Sequence, residues 1–172
     1  PARRDWSEAV FDRLGLPKKL MAPIQRPGAL RGTLLPEIAR ECGVEEIPVY
    51  AVGGHDTASA VAAVPATQEN FAYLSSGTWS LLGVEIPEPM CAPEVLRAGY
   101  TNEGGADGSI RLLKNIMGLW IIQECKREWD RRSDAIGFAE LVERARKAPP
   151  FKAILDVDDE IFLAPGDMPA RI

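Results

Sequence analysis

The dipeptide His55-Asp56 is the first place in this chain where side-chain type and spacing could do chemistry. It follows the apolar run Ile47-Pro48-Val49-Tyr50-Ala51-Val52 and two glycines, Gly53 and Gly54, and it precedes Thr57 and a stretch of small residues. The run reads as a strand covered on both faces, and ligands of α/β proteins gather beyond the carboxyl ends of such strands. Glycines there let the backbone approach a substrate closely. Asp56 would then be a strand-end carboxylate, able to act as a general base beside the chain's one imidazole. The same residues also read as structure alone. Asp and Thr before a helix are common N-caps, and a lone histidine is commonly a hydrogen-bonded structural group.

A second candidate is Ser75-Ser76-Gly77-Thr78-Trp79-Ser80, between two strand-like runs. Successive backbone N–H groups in a tight turn form a nest for phosphate oxygens, and the hydroxyls add donors; the plainer reading is a β-hairpin turn. The third is a helical pattern over residues 112–129. At about 100° per residue, Leu112, Ile116, Leu119 and Trp120 fall on one side, with Gln123 inside that arc and Asn115 near its edge. A buried amide there must find a partner, either a neighbouring backbone group or a ligand in a cleft. The charged residues flanking Trp129 read as a solvated helix end.

These candidates stand in a chain of 172 residues, 46% hydrophobic and 26% charged, an ordinary globular composition long enough for one or two cores. Twenty Lys+Arg against 25 Asp+Glu give a net charge of −5, so the basic footprint that a nucleic-acid binder lays on phosphates is missing. No apolar stretch approaches the roughly 18 residues of a bilayer span, and the opening Pro1-Ala2-Arg3-Arg4-Asp5 is unlike a signal peptide, so a cytoplasmic protein is expected. Cys42, Cys91 and Cys125 form no C-x-x-C pair, and their odd number argues against a disulfide framework. A single histidine removes metal sites built from several imidazoles.

The elements that must position the candidates follow from punctuation and period. Helices are expected over residues 5–14, with Asp5 as N-cap and Gly15 past the end, and over 35–42, stopping at Gly43. A strand over 47–52 precedes a closely packed small-residue helix that Pro65 ends. Strands over 71–75 and 79–86 flank the second candidate, and a last amphipathic helix with Phe138, Leu141, Val142 and Ala145 on one face ends at Pro149-Pro150. The texture changes in residues 66–70, where a domain boundary is expected. Helix, strand, helix, strand pair and further helices make an α/β or α+β architecture rather than a bundle.

Four segments together carry a family resemblance: 53–61 (Gly-Gly-His-Asp-Thr-Ala-Ser-Ala-Val), 74–81 (Leu-Ser-Ser-Gly-Thr-Trp-Ser-Leu), 101–105 (Thr-Asn-Glu-Gly-Gly) and 113–120 (Leu-Lys-Asn-Ile-Met-Gly-Leu-Trp). The chain resembles the FGGY carbohydrate kinases over nearly its whole length, and the last three segments are specific to their rhamnulokinase branch. The resemblance implies part of a ribonuclease H-like, actin-like ATPase kinase fold, in which ATP and a ketose meet in a cleft between two domains. Residues 1–66 would be the C-terminal part of the N-terminal sugar-binding domain, and 67–172 the N-terminal part of the C-terminal ATP-binding domain. By resemblance Asp56 is the catalytic base, His55, Asp56 and Thr57 contact the sugar, and Asn115 is a further sugar-binding residue. Gly77 belongs to a phosphate turn, and Thr78 and Gln123 match ATP-binding positions. The implied reaction moves the γ-phosphoryl of ATP to O1 of L-rhamnulose with Mg²⁺ on the phosphates.

Two family motifs, an Asp-x-Gly-Thr phosphate loop and a late Gly-Gly adenosine segment, are not in these 172 residues. The expectation is therefore that this chain alone does not phosphorylate a sugar and that the rest of a parent kinase completes the site. A sibling kinase for fuculose or xylulose, or a non-catalytic sugar- or nucleotide-binding module of the same fold, would carry many of the same residues. A serine hydrolase is disfavoured, because no G-x-S-x-G elbow is present.

Overall fold

The structure is a computed structural model that describes residues 2–68, 70–132 and 135–172; Glu69, inside the expected boundary, lies outside them. Local signals set the first elements. Helix α1 (Glu8–Leu14) ends at Gly15 and α2 (Pro36–Cys42) at Gly43, as their spacing predicts. The start of α1 differs from expectation: Ser7 is its N-cap, and Asp5 instead accepts the Trp6 N–H at 2.7 Å, two residues too early to serve the helix. A two-stranded antiparallel ribbon joins β1 (Leu30–Thr33) to β2 (Pro48–Tyr50), with Leu30 opposite Tyr50, Thr33 opposite Pro48, and a bulge between Leu30 and Gly32. Helix α3 (Asp56–Ala62) follows β2 and buries Thr57, Ala58 and Val61.

The β2 run is not a strand covered on both faces. The strand spans only Pro48–Tyr50, and all three of its residues are exposed. With β1 as its one neighbour, it has apolar content but no layer packed upon it among the described residues.

A four-stranded sheet has the order β3 (Ala72–Ser75), β4 (Trp79–Ile86), β6 (Ile110–Met117), β5 (Tyr100–Gly104). Both pairs of sequential strands, β3–β4 and β5–β6, are hairpins joined by short loops. The short helix α4 (Pro93–Arg97) precedes β5. The expected helix over 112–129 is instead two elements, β6 and α5 (Trp120–Arg131). Ile110, Arg111, Leu112 and Leu113 are buried in succession, as befits an inner strand, and Gly118 separates strand from helix.

The chain divides into two compact units, Pro1–Tyr73 with Gly83–Leu113, and Leu74–Leu82 with Lys114–Ile172. In the first, Tyr73 reaches over Gly83. A Cβ on Gly83 would lie 2.6 Å from the Tyr73 hydroxyl and 2.8 Å from the Leu113 Cβ, so only glycine fits beneath that ring. In the second unit Met117, Ile121, Cys125, Phe162 and Met168 form a buried cluster, with Trp120 and Trp129 against it. The Trp120 indole N–H donates to the Phe162 carbonyl at 3.0 Å, tying α5 to the turn before α7 (Met168–Arg171). Helix α6 (Phe138–Lys147) stops before Pro149 as expected and buries none of its residues. No helix among the described residues is long and apolar enough to cross a membrane.

Candidate functional site

In the first unit the chain leaves β2, turns at Gly54 and enters α3. Gly54 has φ +75°, a left-handed conformation that glycine adopts without strain. The turn is closed by the His55 N–H donating to the Gly53 carbonyl at 2.8 Å. His55 is then the N-cap residue of α3 in extended conformation, and Asp56 is the first helical residue. The Asp56 side chain is 95% exposed, which leaves its carboxylate open to a ligand. Its Oδ1 accepts the Thr57 N–H at 2.8 Å and lies 3.4 Å from His55 Nε2, whereas Oδ2 has no hydrogen-bond partner among the described residues. The plain capping function is thus only partly met, since no side chain caps α3 at the N-cap position. Thr57 is buried, and its hydroxyl faces Asp56 Oδ1 at 3.5 Å.

The other face of the histidine meets a charge pair that the sequence pattern had not singled out. Glu103 Oε2 on β5 lies 3.9 Å from His55 Nδ1 and accepts from Arg111 Nη2 at 2.7 Å. Arg111, in the apolar run of β6, is buried, and its Nε also donates to the Gly104 carbonyl at 3.3 Å. Its Nη1 and the Tyr73 hydroxyl are buried without hydrogen-bond partners. Burial pushes the Tyr73 phenol up, and the nearby guanidinium opposes that shift. The available signal was Arg111 itself, one basic residue among Ile110, Leu112 and Leu113 that must find a carboxylate if buried. An open cleft of about 460 Å³ in this unit is bounded by Gly53, Gly54, Asn102, Glu103, Arg4 and Arg26; its walls do not include His55 or Asp56.

In the second unit the turn between β3 and β4 is both a hairpin and an anchored loop. The Leu119 N–H donates to the Gly77 carbonyl at 2.9 Å and the Trp120 N–H to the Thr78 carbonyl at 3.0 Å, so the first donors of α5 are satisfied by the turn. In a trans peptide the N–H points opposite to the C=O, which turns the N–H groups of Thr78 and Trp79 away from α5. Gly118 allows this approach, because a Cβ there would collide with the Ser80 hydroxyl and lie 2.6 Å from the Gly77 carbonyl oxygen. The exposed Thr78 hydroxyl donates to Gln123 Oε1 at 3.3 Å. Gly77, Thr78 and Gln123 therefore lie together at the start of α5. Asn115 does not share a helical face with Gln123; it is exposed on β6, beside Lys114, which pairs with Asp158 at 2.5 Å.

Among the described residues no three His, Cys, Asp or Glu side chains converge as a metal cage. A Mg²⁺ carried on nucleotide phosphates needs only one or two protein carboxylates, so this arrangement assigns no residue of the chain to the ion.

Residues 72–172 match the FGGY family of carbohydrate kinases, C-terminal domain. The chain is 46% identical to the rhamnulokinase of Bacteroides thetaiotaomicron over 163 residues, covering 95% of this chain and 33% of that protein. It is 47% identical to the rhamnulokinase of Oceanobacillus iheyensis over 165 residues, with 96% and 34% covered, and 40% identical to that of Bacillus subtilis over 159 residues, with 92% and 32% covered. The chain thus spans about a third of the length of these relatives. Among solved structures, a carbohydrate kinase from Novosphingobium aromaticivorans superposes with a TM-score of 0.50 at 25% identity, over 67% of this chain and 26% of that one. These likenesses bear out the expected partial kinase fold, and the match from β3 to the last residue covers more than half of the sequence: the chain belongs to the FGGY family of carbohydrate kinases.

Proposed function

We propose that this chain is the central part of an ATP-dependent sugar kinase that transfers the γ-phosphoryl of ATP to O1 of L-rhamnulose, giving L-rhamnulose 1-phosphate and ADP. The observation that carries the reading is the open Asp56 carboxylate, set on the first residue of α3 beside His55, with Oδ1 tied to the Thr57 N–H and Oδ2 free to receive a proton. Oδ2 takes the proton of the sugar's primary hydroxyl as that oxygen attacks. General-base action of this kind contributes about 10²–10⁴ in rate. Phosphoryl transfer has a loose transition state, so alignment of the two substrates carries the larger share.

His55 and Thr57 flank the base on the sugar side, and Asn115 adds a sugar contact from β6. On the nucleotide side, Gly77 shapes the phosphate turn, and the Thr78 hydroxyl and Gln123 amide supply polar contacts to ATP. ATP, with Mg²⁺ on its phosphates, supplies the group transferred. Residues 1–66 are assigned to the sugar-binding domain and 67–172 to the ATP-binding domain; the family match beginning at residue 72 supports that division. The exposed apolar β2, with Val49 and Tyr50 open to solvent, fits a strand that further chain covers in a complete kinase. The 172 residues alone are inactive in this reading, and the complete kinase works in the cytoplasm.

The test is ADP release by a full-length protein containing this segment, with L-rhamnulose, L-fuculose and D-xylulose as acceptors. The expected result is a kcat/KM for L-rhamnulose about tenfold or more above the others, the discrimination that about 1.4 kcal/mol of differential transition-state binding gives. A preference for fuculose or xylulose would assign a sibling kinase, and sugar binding without ADP release would assign a non-catalytic module. Rhamnulose-dependent turnover by the 172-residue chain alone would contradict the partial-site reading.

A further inference from the structure

We propose that Glu103, anchored by the buried Arg111, is a positioning residue that fixes the His55 ring beside Asp56; this rests on the reading of Asp56 as the base. The four side chains form a row that runs from interior to solvent. Side-chain exposure rises from 1% at Arg111 to 33% at Glu103, 55% at His55 and 95% at Asp56. One oxygen, Glu103 Oε2, serves both neighbours, at 2.7 Å from Arg111 Nη2 and 3.9 Å from His55 Nδ1. The other imidazole nitrogen, Nε2, faces Asp56 Oδ1 at 3.4 Å. The two nitrogens thus lie near two different carboxylates, one on either side of the ring.

The arrangement costs stability, which argues that it does more than fill the sheet. Burying a guanidinium is expensive even when it is paired, and well-packed apolar residues can replace a buried ion pair with little or no loss. Here Arg111 keeps one nitrogen, Nη1, without any hydrogen bond. In return Glu103 is held at one end of β5 with its Oε2 aimed at the N-cap residue of α3. The 3.9 Å gap to His55 is longer than a hydrogen bond, and contacts of this kind tighten when substrate closes the site. The logic is that of a base oriented by a neighbour that is itself held by a third group.

The experiment uses the full-length kinase and one double substitution, made with and without His55→Ala. Glu103→Leu with Arg111→Met removes the ion pair without stranding a charge. The expected result is a folded protein whose kcat is about ten- to a hundredfold lower, the scale of a small misplacement at a reacting centre. In a His55→Ala background the same double change is expected to alter kcat less than about twofold, because the residue it positions is gone. A purely structural pair predicts the same factor in both backgrounds, and that result, or parental kcat in the folded double variant, overturns the proposal. Should the double variant not fold, Glu103→Asp decides in the same way: it keeps the charge for Arg111 but withdraws the carboxylate by one methylene, and its loss must vanish in the His55→Ala background. Asp56→Asn separates the two layers. Parental turnover in that variant refutes the base assignment, whereas loss of turnover there with no coupling between Glu103 and His55 refutes only the positioning role.

Discussion

The two candidate regions hold their polar atoms by different means. The turn at Gly77 and Thr78 is fixed by backbone: two carbonyls accept the first N–H groups of α5, Gly118 lets the chains touch, and the Met117–Met168 cluster lies in the same unit. The segment from Gly53 to Thr57 is held at its backbone by the turn at Gly53 and by the first bonds of α3 on the His55 carbonyl, and its proposed base, Asp56, stands in solvent beside a row of charges. In the first case the candidate polar atoms and the fold are one object. In the second the chemical group can be altered with little effect on the fold.

Substitutions can sharpen or break that contrast. The largest structural effect is expected at Gly118→Ala, where the added methyl meets the Gly77 carbonyl and the Ser80 hydroxyl; overpacking of this kind costs about 1–3 kcal/mol. Thermal unfolding should show a clear drop, and the KM for ATP should rise in parallel because the turn itself is displaced. An unchanged melting temperature would mean that the turn is not held as described. A smaller effect is expected at Thr78→Ala. It removes an exposed hydroxyl and its bond to Gln123, so stability should be nearly unaltered while the KM for ATP rises about three- to tenfold, the worth of one hydrogen bond. A rise in the KM for ketose instead would place Thr78 on the wrong substrate.

The smallest effect separates the units by their thiols. Cys42 and Cys91, in the first unit, are exposed, whereas Cys125 is buried in the second and burial pushes its thiol up. A raised value disfavours the reactive thiolate at any given pH, so native labelling near pH 8 should modify two of these three cysteines, the third reacting only on unfolding. Prompt labelling of Cys125 would show that the second unit opens readily.

Much of this organisation was legible in the residues. The helix stops at Gly15 and Gly43, the hairpin around residues 76–78 and the placement of His55 and Asp56 at the start of a small-residue helix are local events, and local punctuation encodes them. The stretch over 112–129 was not legible, because Leu112, Ile116, Leu119 and Trp120 have helical spacing by coincidence. Residues 110–117 pair between β4 and β5, and tertiary pairing overrides a period read over a short apolar run. The same mistake moved Asn115 onto a helix face it does not share with Gln123. The Glu103–Arg111 pair was missed for a related reason: the residues belong to neighbouring strands, and only the sheet brings them together.

The central claim is that Asp56 acts chemically rather than structurally, and one variant tests it most directly. In full-length Asp56→Asn protein, calorimetric titration with L-rhamnulose should give an affinity within about threefold of the parent and the melting temperature should be unchanged, because the side chain is 95% exposed. Turnover in the same preparation should fall by about 10²–10⁴. Retention of parental turnover with intact binding would contradict the account.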